Sequence, residues 1–214
     1  MKKYHGALFD LDGVLVDTAK YHFLAWQELA QRLEIPFTLA DNERLKGVSR
    51  MASLEILLSL GRQTYSVAEK TALAEEKNQR YVALIEKMTP AEVLPGARQL
   101  LKDLHAHGVK IALGSASKNA PLILAKTELA PLFDEIVDGN LVHHAKPDPE
   151  VFLVGAEKLS LTPADCVVFE DAAAGIAAAK AGKMFAVGVG NPEILKAADH
   201  IVPDLAHFDF HLLF

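Results

Sequence analysis

The sequence predicts an α/β fold: a Rossmann-like parallel sheet core with helices on both faces and an inserted all-helical cap domain. Short β-rich apolar runs recur along the chain with helix-length amphipathic stretches between them, the alternation that builds a parallel sheet. One long region, from about residue 18 to residue 93, has helical periodicity and no strand pattern. Acidic pairs stand directly after two of the apolar runs, where open α/β sheets place their ligands.

Taken in order, Ala7-Leu8-Phe9 predicts a first strand that ends at Asp10. The periodic stretches from Tyr21 to Leu33, Met51 to Leu60 and Val67 to Lys87 predict the helices of the cap. The chain enters this insert just after Asp17 and returns near Leu94-Pro95-Gly96, where Pro and Gly mark a boundary. The expected core is therefore residues 1–17 and 94–214, and the expected cap residues 18–93. Further strands are predicted at Val109 to Leu113, Glu135 to Val137, Cys166 to Phe169, Phe185 to Val187 and His200 to Val202. The Ala-rich run from Ala172 to Ala179 predicts a helix of small residues that packs closely on the sheet.

A chain of 214 residues can bury a core without disulfides. The single cysteine, Cys166, lies in an apolar run and reads as a small core residue. A formal net charge of -6 argues against nucleic acid or an anionic membrane as the main partner. No stretch has the length of a membrane span, and the first residues lack the pattern of a signal peptide, so a cytoplasmic protein is expected, with a monomer as the default.

The chemistry is concentrated after the strands. If the backbone stays extended past Phe9, Asp10 and Asp12 project from one face about 6.6 Å apart while Leu11 points into the core. Alone, an Asp-x-Asp-Gly string fits two solvated turn aspartates equally well. The second pair, Glu170-Asp171, changes the balance, because close carboxylates repel by about 4 kcal/mol per pair at an effective dielectric near 20. Such a gathering calls for a cation, and oxygen ligands without a Cys or His cluster favour Mg²⁺. Magnesium commonly accepts a phosphate oxygen, which suggests a phosphorylated substrate. Ser115 and Lys146, at two further strand ends, supply a hydroxyl and an ammonium for the oxygens of a transferring phosphoryl group. In the cap, Lys46, Gly47 and Arg50 within five residues, flanked by Ser49 and Ser53, read as an anion-binding loop opening a helix, although Arg50 could also be a surface charge paired with Glu55. Trp26 and Phe23 are spaced as a helix-face core pair. His143-His144 reads as an exposed pair in a polar loop.

Asp10-Leu11-Asp12-Gly13-Val14, Ser115, Lys146-Pro147 and Glu170-Asp171 together resemble, in order and placement, the motifs of the haloacid dehalogenase superfamily, over the whole chain. A helical cap inserted directly after the first motif is similar to that of its small capped phosphatases and mutases. Thr18-Ala19, Tyr21-His22-Phe23, Ala25-Trp26, Leu45-Lys46-Gly47-Val48-Ser49-Arg50, Lys77-Asn78 and Ser115-Ala116-Ser117-Lys118-Asn119 resemble the sugar-phosphate mutases of that superfamily.

The resemblance implies a Mg²⁺-dependent phosphotransferase in which Asp10 is the nucleophile and Asp12 the general acid/base, with Ser115 and Lys146 completing the catalytic set. It implies a metal site made by Asp10, Asp12 through its backbone carbonyl, Glu170 and Asp171. Arg50, Ser117 and Asn119 would hold a non-reacting phosphate; Trp26, Gly47, Val48, Ser53 and Lys77 would line the sugar; His22 would support Asp12. Lys46, Ser49 and Ala116 complete the expected substrate-binding set. The implied reaction converts β-D-glucose 1-phosphate to glucose 6-phosphate through a 1,6-bisphosphate intermediate. The alternative is a sugar-phosphate or phosphoglycolate-type phosphatase of the same superfamily. Ala172-Ala173 departs from the family pattern, which commonly carries Ser-Gln there, and thins the polar shell near the metal.

Overall fold

The computed structural model describes residues 3–45 and 49–214. It divides into two compact units, Met1–Asp17 with Met88–Phe214, and Thr18–Lys87.

Strand β1 (Gly6–Phe9) opens the first unit. The second unit follows, with helices α1 (Ala19–Arg32), α2 (Leu39–Glu43), α3 (Arg50–Leu58) and α4 (Val67–Ile85). Its core is the apolar stripes of these helices: Trp26, Leu29 and Ala30 of α1 meet Leu54, Leu57 and Leu58 of α3 and Leu73 and Ala74 of α4. Local capping fixes the starts. Ser66 accepts the amide of Glu69 while Glu69 bonds back to Ser66, a capping box worth roughly 1 kcal/mol. The same exchange between Thr38 and Asp41 starts α2, a short helix that the hydrophobic pattern does not reveal. The chain returns to the first unit at Met88, upstream of the Leu94-Pro95-Gly96 signal. The bridge between Val16 and Val93 and the bond from Leu94 N to Leu15 O hold residues 88–94 in that unit.

The first unit then adds α5 (Ala97–Ala106), β2 (Lys110–Gly114), α6 (Ala120–Lys126), β3 (Glu135–Val137), α7 (Glu150–Lys158), β4 (Cys166–Glu170), α8 (Ala173–Ala181), β5 (Phe185–Val189) and β6 (His200–Val202). The strands form one parallel sheet in the order β3-β2-β1-β4-β5-β6. Leu8, Ala112 and Val168 face α7 and α8, in a cluster with Phe152, Ala156, Ile176 and Ala179. Phe9 and Phe169 stack on the opposite face, and Phe208 meets Phe169 edge-on there. Each fully buried side chain of this size contributes about 1.5–3 kcal/mol. Gly155 lets α7 approach closely, since a Cβ there would lie 2.7 Å from Leu8.

From β1 the chain steps outward to β2 and β3, then returns to the other side of β1 as β4. The reversal opens a crevice at the carboxyl ends of β1 and β4, the usual ligand position in such sheets. Among the described residues no helix is long and apolar enough to cross a membrane.

Candidate active site

Asp10 follows β1 and Glu170 ends β4, so the two neighbouring strands deliver them to the switch point. The Asp10 amide donates to Phe169 O at 3.0 Å, continuing the ladder by one step. The backbone then turns instead of staying extended. Leu11, fully buried, accepts the amides of Leu15 at 3.0 Å and Val16 at 3.2 Å, and Gly13 takes a φ of 83°. The extended spacing expected for Asp10 and Asp12 therefore does not apply; a compact loop presents them. Gly13 is required twice, because its φ is left-handed and a Cβ would stand 2.0 Å from Asp171 Oδ2.

Lys146 Nζ donates to Asp10 Oδ1 and, at 2.8 Å, to Glu170 Oε2. The ammonium also sits 4.7 Å from the centre of the Phe152 ring. The other Glu170 oxygen accepts the amides of Asp171 at 3.2 Å and Ala172 at 3.1 Å. Gly175 makes room for this carboxylate, since a Cβ there would lie 1.9 Å from Glu170 Oε2. Carboxylate oxygens of Asp10, Glu170 and Asp171 lie within 4.8 Å of one another.

The charge balance is uneven. Burial first, then the charge of Glu170, holds the Asp10 carboxyl well above its usual pKa despite Lys146. Burial and Glu170 likewise push Asp171 up to about 7. The charge of Asp12 raises both, so Asp12, half-buried, belongs electrostatically to the same edge. Burial alone would lower Lys146, but Asp10 and Glu170 outweigh it and keep the ammonium protonated. Among the described residues Lys146 bonds two of these carboxylates, Asp10 and Glu170, and a set of oxygen donors suits a hard cation.

Ser115, after β2, is buried, and its Oγ accepts the Ser117 amide at 3.1 Å. Ser117 Oγ accepts the Asn119 amide at 3.3 Å, so the two serines brace one turn. Ala116 is exposed on that turn, and Gly139 packs beneath it, where a Cβ would meet Ala116 O at 2.2 Å.

In the helical unit, Lys77 is 3% exposed and lies between two rings, 4.7 Å from the centres of both Trp26 and Tyr81. Its Nζ is 3.0 Å from His22 Nδ1, and His22 stacks on Tyr81 with centroids 4.1 Å apart. Burial, then Lys77 and Arg50, hold His22 well below the ordinary imidazole pKa, so the ring is neutral. Trp26 is thus both a core residue and one wall of the lysine's box. Ser49 caps α3 by accepting the Ala52 amide at 3.2 Å. Ser53 is buried, with its hydroxyl directed to Leu45 O at 3.4 Å. Arg50 faces Glu75 at 3.7 Å, whereas Glu55 pairs with Lys70. Lys46, Gly47 and Val48 lie outside the described residues.

The model of one family, described as haloacid dehalogenase-like hydrolase, matches residues 4–183. The chain belongs to the haloacid dehalogenase-like hydrolase family. It is 47% identical to a β-phosphoglucomutase of Bacillus subtilis, over 96% of this chain and 92% of that protein. It is 32% identical to a fructose-1-phosphate phosphatase of Escherichia coli, over 88% of this chain and 97% of that one. A crystal structure of a β-phosphoglucomutase from Clostridium difficile superposes with a TM-score of 0.91 at 44% identity, covering 98% of this chain and 95% of that chain.

Beside the family motifs, sequence reasoning passed over several residues. Tyr81 is four residues beyond Lys77 on α4, a same-face spacing that could have flagged it. Phe152, Gly139 and Gly175 carry no local signal, because their importance depends on how the folded backbone brings Lys146, Ala116 and Glu170 against them. His144, Asp148 and Glu150 also offer ligand atoms within 4.8 Å of one another, but Glu150 Oε2 already braces the loop through the amides of His143 and His144.

Proposed function

We propose that the chain catalyses the β-phosphoglucomutase reaction, exchanging β-D-glucose 1-phosphate and glucose 6-phosphate through a phosphoaspartate on Asp10 and glucose 1,6-bisphosphate. The observation that carries the reading is a buried Asp10 at the switch point, held by a protonated Lys146 with Asp12 beside it. The higher identity to a mutase relative, 47% against 32% to a phosphatase relative, favours a mutase over a phosphatase.

Asp10 attacks phosphorus, forming the acyl phosphate as the sugar oxygen leaves. Lys146 already lies on Asp10 Oδ1 and so can orient the attacking carboxylate and accept negative charge from the phosphoryl oxygens. Ser115, in its braced turn, offers a hydroxyl to the same group. Asp12 protonates the leaving oxygen and later takes the proton of the hydroxyl that receives the phosphoryl group. Asp10, Glu170, Asp171 and the backbone carbonyl of Asp12 would hold Mg²⁺, which when bound offsets charge on the transferring group. In this reading Arg50 takes the non-reacting phosphate, and Lys77, fixed by Trp26, Tyr81 and His22, takes a sugar oxygen.

Incubation with Mg²⁺, β-glucose 1-phosphate and a trace of the 1,6-bisphosphate tests the proposal, with glucose 6-phosphate and free phosphate followed together. Glucose 6-phosphate is the expected product. Steady phosphate release without it would instead assign a phosphatase.

A further inference from the structure

We infer that Glu75 weakens the grip of Arg50 on the non-reacting phosphate, so that this carboxylate sets the KM for the sugar phosphate. The inference rests on the mutase reading, which gives Arg50 that phosphate.

Glu75 Oε2 lies 3.7 Å from Arg50 Nη1, inside ion-pair range but beyond a hydrogen bond. The two side chains are 55% and 32% exposed. Other acids of the helical unit are engaged differently. Glu76 makes a two-pronged bond to Arg32 at 2.6 Å, and Glu55 bonds Lys70 at 2.9 Å, so each is matched to a cation with no part in the expected site. The cation that Glu75 faces is one the substrate needs. A phosphate that reaches Arg50 must either displace this carboxylate or settle beside it, and a nearby negative charge repels a phosphate dianion in both cases. The looseness of the pair matters: a bidentate bond would occupy the guanidinium, whereas this contact only lowers its local potential.

The position also separates binding from chemistry. Glu75 stands on α4 two residues before Lys77, but unlike Lys77 it is exposed and takes no part in the lysine's aromatic box. Replacing it changes the field at Arg50 and leaves Trp26, Tyr81 and His22 as they are.

The test is steady-state conversion of β-glucose 1-phosphate to glucose 6-phosphate with Mg²⁺ and trace bisphosphate. For Glu75→Gln, KM is expected to fall about two- to five-fold with kcat unchanged, the size of one exposed ion pair. Glu75→Asp keeps the charge and is expected to stay near the wild-type KM. The difference between wild type and Glu75→Gln should shrink as ionic strength rises from about 0.01 M to about 1 M, because the effect is Coulombic. An unchanged or raised KM in Glu75→Gln, or a KM ratio insensitive to salt, overturns the inference. If the unsubstituted enzyme makes no glucose 6-phosphate, the mutase reading fails first, and this inference falls with it.

Discussion

The sheet edge and the helical unit each bury an ionisable cluster, and the two are unbalanced in opposite senses. At the sheet edge the Lys146 ammonium bonds Asp10 and Glu170 beside Asp12 and Asp171, and burial drives the Asp10 and Asp171 carboxyls upward. In the helical unit Lys77 and Arg50 act on a neutral His22, whose imidazole is driven downward by burial and by both cations. Desolvation costs the charged form in either place, but the sign of the surplus tells what each cluster can receive. A surplus of carboxylate oxygens suits a metal cation, and a surplus of cationic donors suits the electron-rich oxygens of an anionic ligand.

The largest effects should come from breaking the sheet edge. Asp10→Asn removes the carboxylate proposed as nucleophile and is expected to lower kcat by roughly 10⁴-fold or more, as losses of covalent catalysts do; turnover and peptide phosphorylation measure it. Asp12→Asn is expected to suppress turnover while Mg²⁺ binding by calorimetry survives, and unchanged mutase activity would refute its acid/base role. Lys146→Met should cost about 10²–10³ in kcat, the range for one electrostatic stabiliser. Chelation of Mg²⁺ should stop turnover and its return restore it.

Smaller effects sharpen the contrast. Gly175→Ala places a Cβ 1.9 Å from Glu170 Oε2 and is expected to cost about 1–3 kcal/mol of stability, read by thermal unfolding. The pH responses should oppose each other. Asp171 is raised on folding from 3.8 to about 7, so its contribution is present below about 4 and lost as pH climbs through 7. His22 is lowered on folding, so its contribution is present above 6.5 and lost as pH falls from there. Hydrogen exchange resolved by region should therefore show the metal-free sheet edge loosening toward high pH and the helical unit loosening toward low pH. A common trend in both would contradict the opposite-surplus picture.

How far the sequence carried this comparison depends on the range of each interaction. The sheet is legible because strands buried on both faces read as short apolar runs, as at Gly6–Phe9, and the long cap helices because one buried face imposes a period, as along Val67–Ile85. Asp10, Ser115 and Glu170 are legible because each stands at the end of a strand of recognisable pattern, and Lys146 because it stands in the segment after another. The backbone at Asp12 was not, since the turn is set by Leu11 burying and by Gly13 yielding to Asp171, a contact across 158 positions of chain (171 minus 13). The helix Leu39–Glu43 escaped because it is too short to show a period, although Thr38 and Asp41 carry its capping signature. The Arg50 partner was misplaced for a similar reason: Glu55 is near in sequence, but Lys70 claims it, and Glu75 on another helix takes its place.

The central claim is that Asp10 captures phosphorus, and trapping the phosphoenzyme tests it most directly. Protein mixed with Mg²⁺ and glucose 1,6-bisphosphate, quenched in acid and mapped by mass spectrometry, should carry one phosphoryl group on the peptide containing Asp10, absent from Asp10→Asn. A phosphoryl group on any other residue, or the same label in Asp10→Asn, would contradict the account.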